Sequence, residues 1–159
     1  MEETQQKTRL IIVAAPSGAG KSSFVDRITS EDSRIHDVIT YTTRSMRHHE
    51  KPGKPYYFIS KEDFEKKRAL NFFVEWAQVH TNLYGTSYEE LEGAWKLGKV
   101  AIMDIDIQGM KTFKSKFPDA RTVFILPPSI EELKRRVILR DGVPPVDLDV
   151  RMQNAEKEM

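Results

Sequence analysis

No cysteine occurs among the 159 residues, so disulfide scaffolds, thiolate zinc sites and cysteine nucleophiles are excluded together. The chemistry left is that of oxygen and nitrogen side chains. The sequence also lacks any apolar stretch of about 18 residues, the length a spanning helix needs. After the polar start Met1 to Lys7, the run Leu10 to Ala15 is too short for the apolar part of a signal peptide and its cleavage site. The expectation is a soluble, cytoplasmic protein with no membrane partner. An excess of one charge sign is missing too: Lys and Arg number 25 against 24 Asp and Glu, for a net charge of +1. That balance argues against general binding to nucleic acid, so any anion binding must be local. Internal repeats and low-complexity tracts are absent, and a chain this long buries roughly 69% of its unfolded surface, enough for one core.

What is present begins with Leu10-Ile11-Ile12-Val13-Ala14, a continuous apolar run that Pro16, Gly18 and Gly20 end abruptly. Such runs mark strands covered on both faces. After Lys21, the residues Phe24, Val25 and Ile28 recur at helical spacing, so the unit is strand, glycine-rich turn, helix. The runs Val100 to Met103 and Thr122 to Leu126 read as further buried strands, each followed by a helix-like segment, at about 107–117 and 129–140. Alternation of this kind predicts an α/β fold, a parallel sheet with helices on both faces. The stretch 35–98 differs. Short alternating pieces such as Tyr56 to Ile59 and Phe72 to Trp76 sit among Thr, Arg, His and Pro-Gly turns, with helix-like segments Glu62 to Leu70 and Ser87 to Leu97. It reads as a small mixed α+β insertion whose last helix returns to a core made of 1–34 and 99–135.

The strongest local signal is Ala15-Pro16-Ser17-Gly18-Ala19-Gly20-Lys21-Ser22, between the first strand and its helix. Glycines let successive backbone N–H groups turn toward one anion, the helix N-terminus adds positive potential, Lys21 supplies a charge, and the Ser22 hydroxyl can ligate Mg²⁺. Ala15 stands where the usual pattern has glycine, which is tolerable if its φ stays negative. A second anion site is suggested by Arg44 and Arg47, three residues apart on one loop, with a phenol from Tyr56 or Tyr84 as a neutral donor. Asp104 and Asp106 close a predicted strand, at the carboxyl edge of the sheet where α/β proteins bind ligands. An Asp at such a turn also caps helices, an alternative that applies to Asp106.

Taken together, these sites resemble the guanylate kinase family. The resemblance runs from about Arg9 to Arg151. It is carried by the Pro16 to Ser22 turn, Thr42-Thr43-Arg44 with Arg47, Tyr56-Tyr57-Phe58, Glu75-Trp76-Ala77, Asn82 to Thr86, Asp104 to Gly109 and Pro127-Pro128-Ser129. It implies a P-loop NTPase-type sheet, a GMP-binding module at 35–98 and a helical lid at 136–159. The activity implied is ATP-dependent phosphorylation of GMP to GDP, with Mg²⁺ as cofactor. ATP would lie on Ala15 through Ser22 and on Ser23, and Mg²⁺ on Ser22 and Asp104. Arg44, Arg47, Tyr56 and Tyr84 would hold the GMP phosphate, while Glu75, Thr40 and Thr86 read the base and Asp104 and Asp106 serve the GMP side. Lys21, Arg44, Arg136, Arg140 and Arg151 would carry the transfer. Guanine chemistry agrees, since a carboxylate can accept from N1–H and N2–H₂ side by side, which adenine cannot offer.

Two departures carry expectations of their own. The family usually has Arg-Gly-Thr where this chain has Arg140-Asp141-Gly142, and Pro144-Pro145 replaces a polar stretch, so lid geometry should differ. The family also continues beyond the helix containing Arg151 with a strand and a helix, whereas this sequence stops at Met159. From that follow an open sheet edge at Thr122 to Leu126 and weak ATP affinity, lowered stability or dimerisation through the edge, in a monomer or homodimer. A non-catalytic module that binds a phosphorylated ligand is the alternative reading, and a P-loop kinase for another small acceptor is a third.

Overall fold

The computed structural model describes residues 9–79 and 81–159; the first eight residues of the expected core lie outside them. Leu10–Ala14 forms β1, and Lys21–Glu31 forms α1. Ile35–Asp37 (β2), Val100–Ile105 (β7) and Arg121–Phe124 (β8) join β1 in one sheet, ordered β2-β7-β1-β8 and parallel throughout. Ile107–Lys116 (α4) connects β7 to β8, and after β8 Ile130–Asp141 (α5) leads to Leu148–Glu158 (α6).

Burial of both sheet faces explains the unbroken apolar runs. Along β1 and β7 the side chains alternate. Ile12, Ala101 and Met103 pack with Leu91, Ala94 and Phe113 on one side, whereas Val13 and Ile102 pack with Val25 of α1 on the other. Phe24, counted in the helical periodicity of α1, is 39% exposed, so Val25 and Ile28 carry its apolar face instead. β8 departs from the buried strand expected at Thr122 to Leu126. It is shorter, lies at the sheet edge as expected, and all four of its residues are exposed.

A second sheet contains Thr40–Thr42 (β3), Tyr56–Phe58 (β4), Phe73–Val79 (β5) and Asn82–Ser87 (β6), in the order β4-β3-β6-β5. β3 and β4 are parallel, and β6 runs antiparallel to both β3 and β5. Lys61–Ala69 (α2) covers it through Phe64, which stacks on Phe73 with ring centroids 4.5 Å apart. Tyr88–Lys96 (α3) instead packs Leu91 and Ala94 into the first sheet's core. β2, although it lies in the stretch 35–98, also belongs to that first sheet.

Helix starts are set locally. Ser60, Ser87, Asp106 and Ser129 each accept a hydrogen bond from a backbone N–H three residues on, capping α2, α3, α4 and α5. α1 is different: its N-cap is Gly20, with no side-chain cap and no acidic residue in its first turn. Its leading N–H groups are thus left to an external anion.

Candidate active site

The carboxyl ends of β1 and β7 and the inner face of the second sheet enclose an open cleft of about 1270 Å³. Its floor is the turn between β1 and α1. Gly18 and Gly20 have φ of +86° and +98°, in the left-handed region. Among the described residues Asn71 is the only non-glycine with positive φ, so Ala15 meets the condition set for it. Gly18 also passes against α5, where an added Cβ would stand 2.6 Å from Val137 Cγ2. Beside Gly20 nothing lies within 4 Å of such an atom. Gly18→Ala should therefore cost about 2–4 kcal/mol, combining a left-handed Cβ with overpacking, and Gly20→Ala clearly less. Denaturant unfolding of the two variants checks the order.

Lys21 Nζ donates to the carbonyls of Ala15 (2.8 Å) and Pro16 (3.4 Å), which folds the ammonium back along the turn. Burial pushes it below its ordinary value, and Asp104 and Asp106 push the other way. Ser22 Oγ donates to Asp104 Oδ2 at 2.6 Å. Burial pushes the Asp104 carboxyl up, opposed by the Ser22 hydrogen bond and the Lys21 charge. A hydroxyl and a carboxylate are hard oxygen donors suited to Mg²⁺, which takes its other ligands from water and phosphate. Among the described residues no group of three or more His, Asp or Glu is placed to hold a metal. Asp106 caps α4 by accepting from Gly109 N (2.8 Å) while still lining the cleft. Of the turn itself, Ala19 points into the packing against α5 and α6, and Pro16 contributes its carbonyl.

Across the cleft, Arg44 makes a bidentate pair with Glu50, Nη2 to Oε1 at 2.7 Å and Nη1 to Oε2 at 3.1 Å. Glu50 also accepts from Arg47 N (2.7 Å) and sits 3.6 Å from Arg47 Nη1. Its side chain is only 5% exposed, so this carboxylate fixes the loop on which both arginines ride. The Tyr56 ring lies 5.5 Å from the Arg44 guanidinium and edge-on to Tyr84, centroids 5.8 Å apart. Thr40, Glu75, Tyr56 and Tyr84 line the same cleft.

Glu75 belongs to β5, an edge strand, yet it is buried while its neighbour Trp76 is 43% exposed and covered by Arg68. A register shift between Phe73 and Glu75 accompanies this orientation. Burial, and then Asp106, push the Glu75 carboxyl up to about 7, with Lys116 opposing. Lys116, at the end of α4, donates to the carbonyl of Val74. Gly109 allows the close approach of α4, since a Cβ there would meet Asp106 Oδ1 at 3.0 Å and Glu75 Oε1 at 3.4 Å. Thr86 stands opposite Glu75 in register, fully buried, its hydroxyl without a partner. A buried polar atom left unpaired is costly and points to a missing hydrogen-bonding group.

Arg136, Arg140 and Arg151 reach the cleft from α5 and α6. Arg136 Nε donates to Glu132 Oε1 at 2.7 Å, and Arg151 Nε lies 2.9 Å from Asp147 Oδ1. Glu50, Lys116, Asp141 and Glu158 join the cleft or its immediate surroundings without having been assigned roles from the sequence. Glu158 lines it too, and burial pushes its carboxyl up, with Lys21 opposing. Only the basic context of Glu50 offered a sequence signal; the others depend on tertiary proximity.

The family model described as guanylate kinase matches residues 7–159. A guanylate kinase of Bdellovibrio bacteriovorus is 69% identical over 153 residues, covering 96% of this chain and 83% of that protein. One from a Polaromonas species is 44% identical, covering 94% and 73%. The crystal structure of guanylate kinase from Anaplasma phagocytophilum superposes with a TM-score of 0.67 at 28% identity, covering 93% of this chain and 82% of that one.

Proposed function

The chain belongs to the guanylate kinase family, and from that premise we propose how its residues divide the transfer of a phosphoryl group from ATP to GMP. The enzyme is a nucleoside monophosphate kinase, forming ADP and GDP. The ATP phosphates lie on the turn Ala15 to Ser22 and on Ser23, with Lys21 as the point charge. Arg44, Arg47, Tyr56 and Tyr84 hold the GMP phosphate. Glu75 accepts from guanine N1–H and N2–H₂, and the hydroxyls of Thr40 and Thr86 complete the base site. Supporting this reading above all is the cleft itself, which faces an uncapped helix start and glycine turn toward Arg44, two phenols and an inward carboxylate.

Ser22 and Asp104 are the residues for Mg²⁺. When bound, the ion neutralises phosphate charge. The attacking atom is an oxygen of the GMP phosphate, which needs no proton removed, so the protein's work is positioning and charge stabilisation. Arg136, Arg140 and Arg151 supply positive charge to the transferring group, and closure of the second sheet over the cleft excludes water. Intact Gly18, Gly20, Lys21 and Ser22 favour this over a non-catalytic phosphate reader. Among the described residues no helix is long and apolar enough to cross a membrane. The partners in this reading are small nucleotides rather than nucleic acid, the site of action is the cytoplasm, and the assembly is a monomer or homodimer. The test is ADP formation from ATP-Mg²⁺ with GMP, AMP or UMP as acceptor. Turnover with GMP and at least about 10³-fold less with AMP is expected; equal use of AMP would overturn the role of Glu75.

A further inference from the structure

Asp141 ends α5, where its side chain is only 16% exposed. Its carboxylate gathers three arginines from three parts of the chain. Arg140 donates from Nε to Oδ1 at 2.9 Å and from Nη2 to Oδ2 at 3.2 Å. Arg47 Nη2, on the loop between β3 and β4, is 3.5 Å from Oδ1, and Arg151 Nη1, on α6, is 3.9 Å from Oδ2.

Arginine does not lose its proton in a protein, so clustered guanidinium groups can be relieved only by an anion. The crowding is visible at Arg47: burial, then Arg140 and Arg44, push its guanidinium below the ordinary value, while Asp141 and Glu50 oppose them. Burial pushes the Asp141 carboxyl up, but the Arg140 hydrogen bonds and the charges of Arg140, Arg47 and Arg151 hold it below the usual carboxylate range. A phosphate group offers the same N–H donors more oxygens and more charge than one carboxylate does.

We propose that Asp141 is a built-in substitute for a substrate phosphate, an internal anion that draws Arg47, Arg140 and Arg151 together across the cleft mouth and must release them when nucleotide binds. This rests on the phosphate-holding roles assigned to those arginines above. Asp141 spares the empty cleft its charge repulsion and lowers nucleotide affinity, because each binding event displaces it. Two other carboxylates share part of this load: Glu50, held mainly by Arg44 and the backbone of the loop, is 3.6 Å from Arg47 Nη1, and Asp147 is 2.9 Å from Arg151 Nε.

The sign of the effect separates this from a purely structural role. Asp141→Asn, with Asp141→Ala as a second variant, should tighten GMP binding about 3- to 10-fold in calorimetric titration at low salt. The gain should shrink in 0.5 M salt, to roughly twofold or less. Asp141→Glu, which keeps the charge, and Asp149→Asn, which removes one from an exposed position of α6, should both bind GMP within about twofold of the unchanged protein. Unchanged or weaker GMP binding by both charge-removing variants would overturn the proposal. Absence of GDP formation by the unchanged enzyme would instead strike the functional reading, independently of the direction in which the Asp141 variants move.

Discussion

Replacing Lys21 by alanine should lower GDP formation by a factor on the order of 10³ or more, while the dissociation constant for GMP stays within about twofold. Lys21 stands at the first position of α1, and its ammonium lies along the carbonyls of Ala15 and Pro16, beside Asp104. Its charge is held by the turn proposed above for the ATP phosphates. The GMP half is built on other elements: Arg44 and its partner Glu50 lie on the β3–β4 loop, and Glu75 lies on β5. Loss of Lys21 therefore removes stabilisation of the transferring group and leaves the acceptor site intact. Removal also frees Asp104 from its nearest counter-charge, which leaves a buried carboxylate less compensated. Turnover and calorimetric GMP binding, measured on one preparation, decide the matter. Parallel loss of both quantities would contradict the division of labour.

The second large effect is expected at Glu75. Glu75→Gln keeps the shape but presents an amide that can accept from only one of guanine's two adjacent donors and faces the other with its own N–H₂. The loss in GMP affinity should be about 10²-fold or greater, from charged hydrogen bonds worth about 1.5–3 kcal/mol each. The pH dependence gives the role a separate signature. The carboxylate is the form that accepts from guanine, and in the free protein burial and Asp106 have pushed its pKa up to about 7 against the pull of Lys116. Binding thus releases a proton below about pH 7, and GMP affinity should fall by up to tenfold per pH unit as the pH drops through that range, while levelling off above it. GMP brings its own phosphate titration near pH 6. Glu75→Gln retains that limb and loses the other, so the difference between the two profiles belongs to Glu75. Identical profiles would rule out the ionised carboxylate as the base reader.

The fold was legible where side-chain period and turn chemistry coincide. β1 spans the run Leu10 to Ala14, because burial on both faces demands apolar residues at every position. Helices with an apolar face were legible to within a few residues, as in α5, expected at about 129–140 and found at Ile130–Asp141. β6 was less visible. Asn82, Gly85 and Ser87 are poor strand formers, and their extended conformation comes from β3 and β5 on either side. Gly85 has a further reason, since any Cβ there would stand 2.8 Å from the Phe73 ring. β2, three residues long, offers no period to read. The apolar run in β8 gave no measure of its exposure, since that depends on what packs over the faces of the strand rather than on composition.

The site divides in the same way. The glycine turn and the Arg44–Arg47 loop are local patterns, and the structure brings them to one cleft. The side chains that tune them act across the chain. Glu75 is shifted by burial, then by Asp106 and Lys116, and Asp141 lies against three arginines of the cleft mouth. Such relations have no spacing in the sequence, because they arise only when helices dock on sheets.

One of those helices has a metrical role. α4 begins at the Asp106 cap, beside the glycine turn and its lysine, and ends with Lys116 on the Val74 carbonyl next to the base site. Its ten residues rise about 15 Å, at about 100° of rotation per residue. α4 is therefore a spacer between the turn after β7 and the backbone of β5, and its length is constrained more tightly than its sequence. One residue more or fewer would turn Lys116 off β5 while leaving the Asp106 cap in place, so the chain can exchange side chains along this helix far more freely than it can change their number.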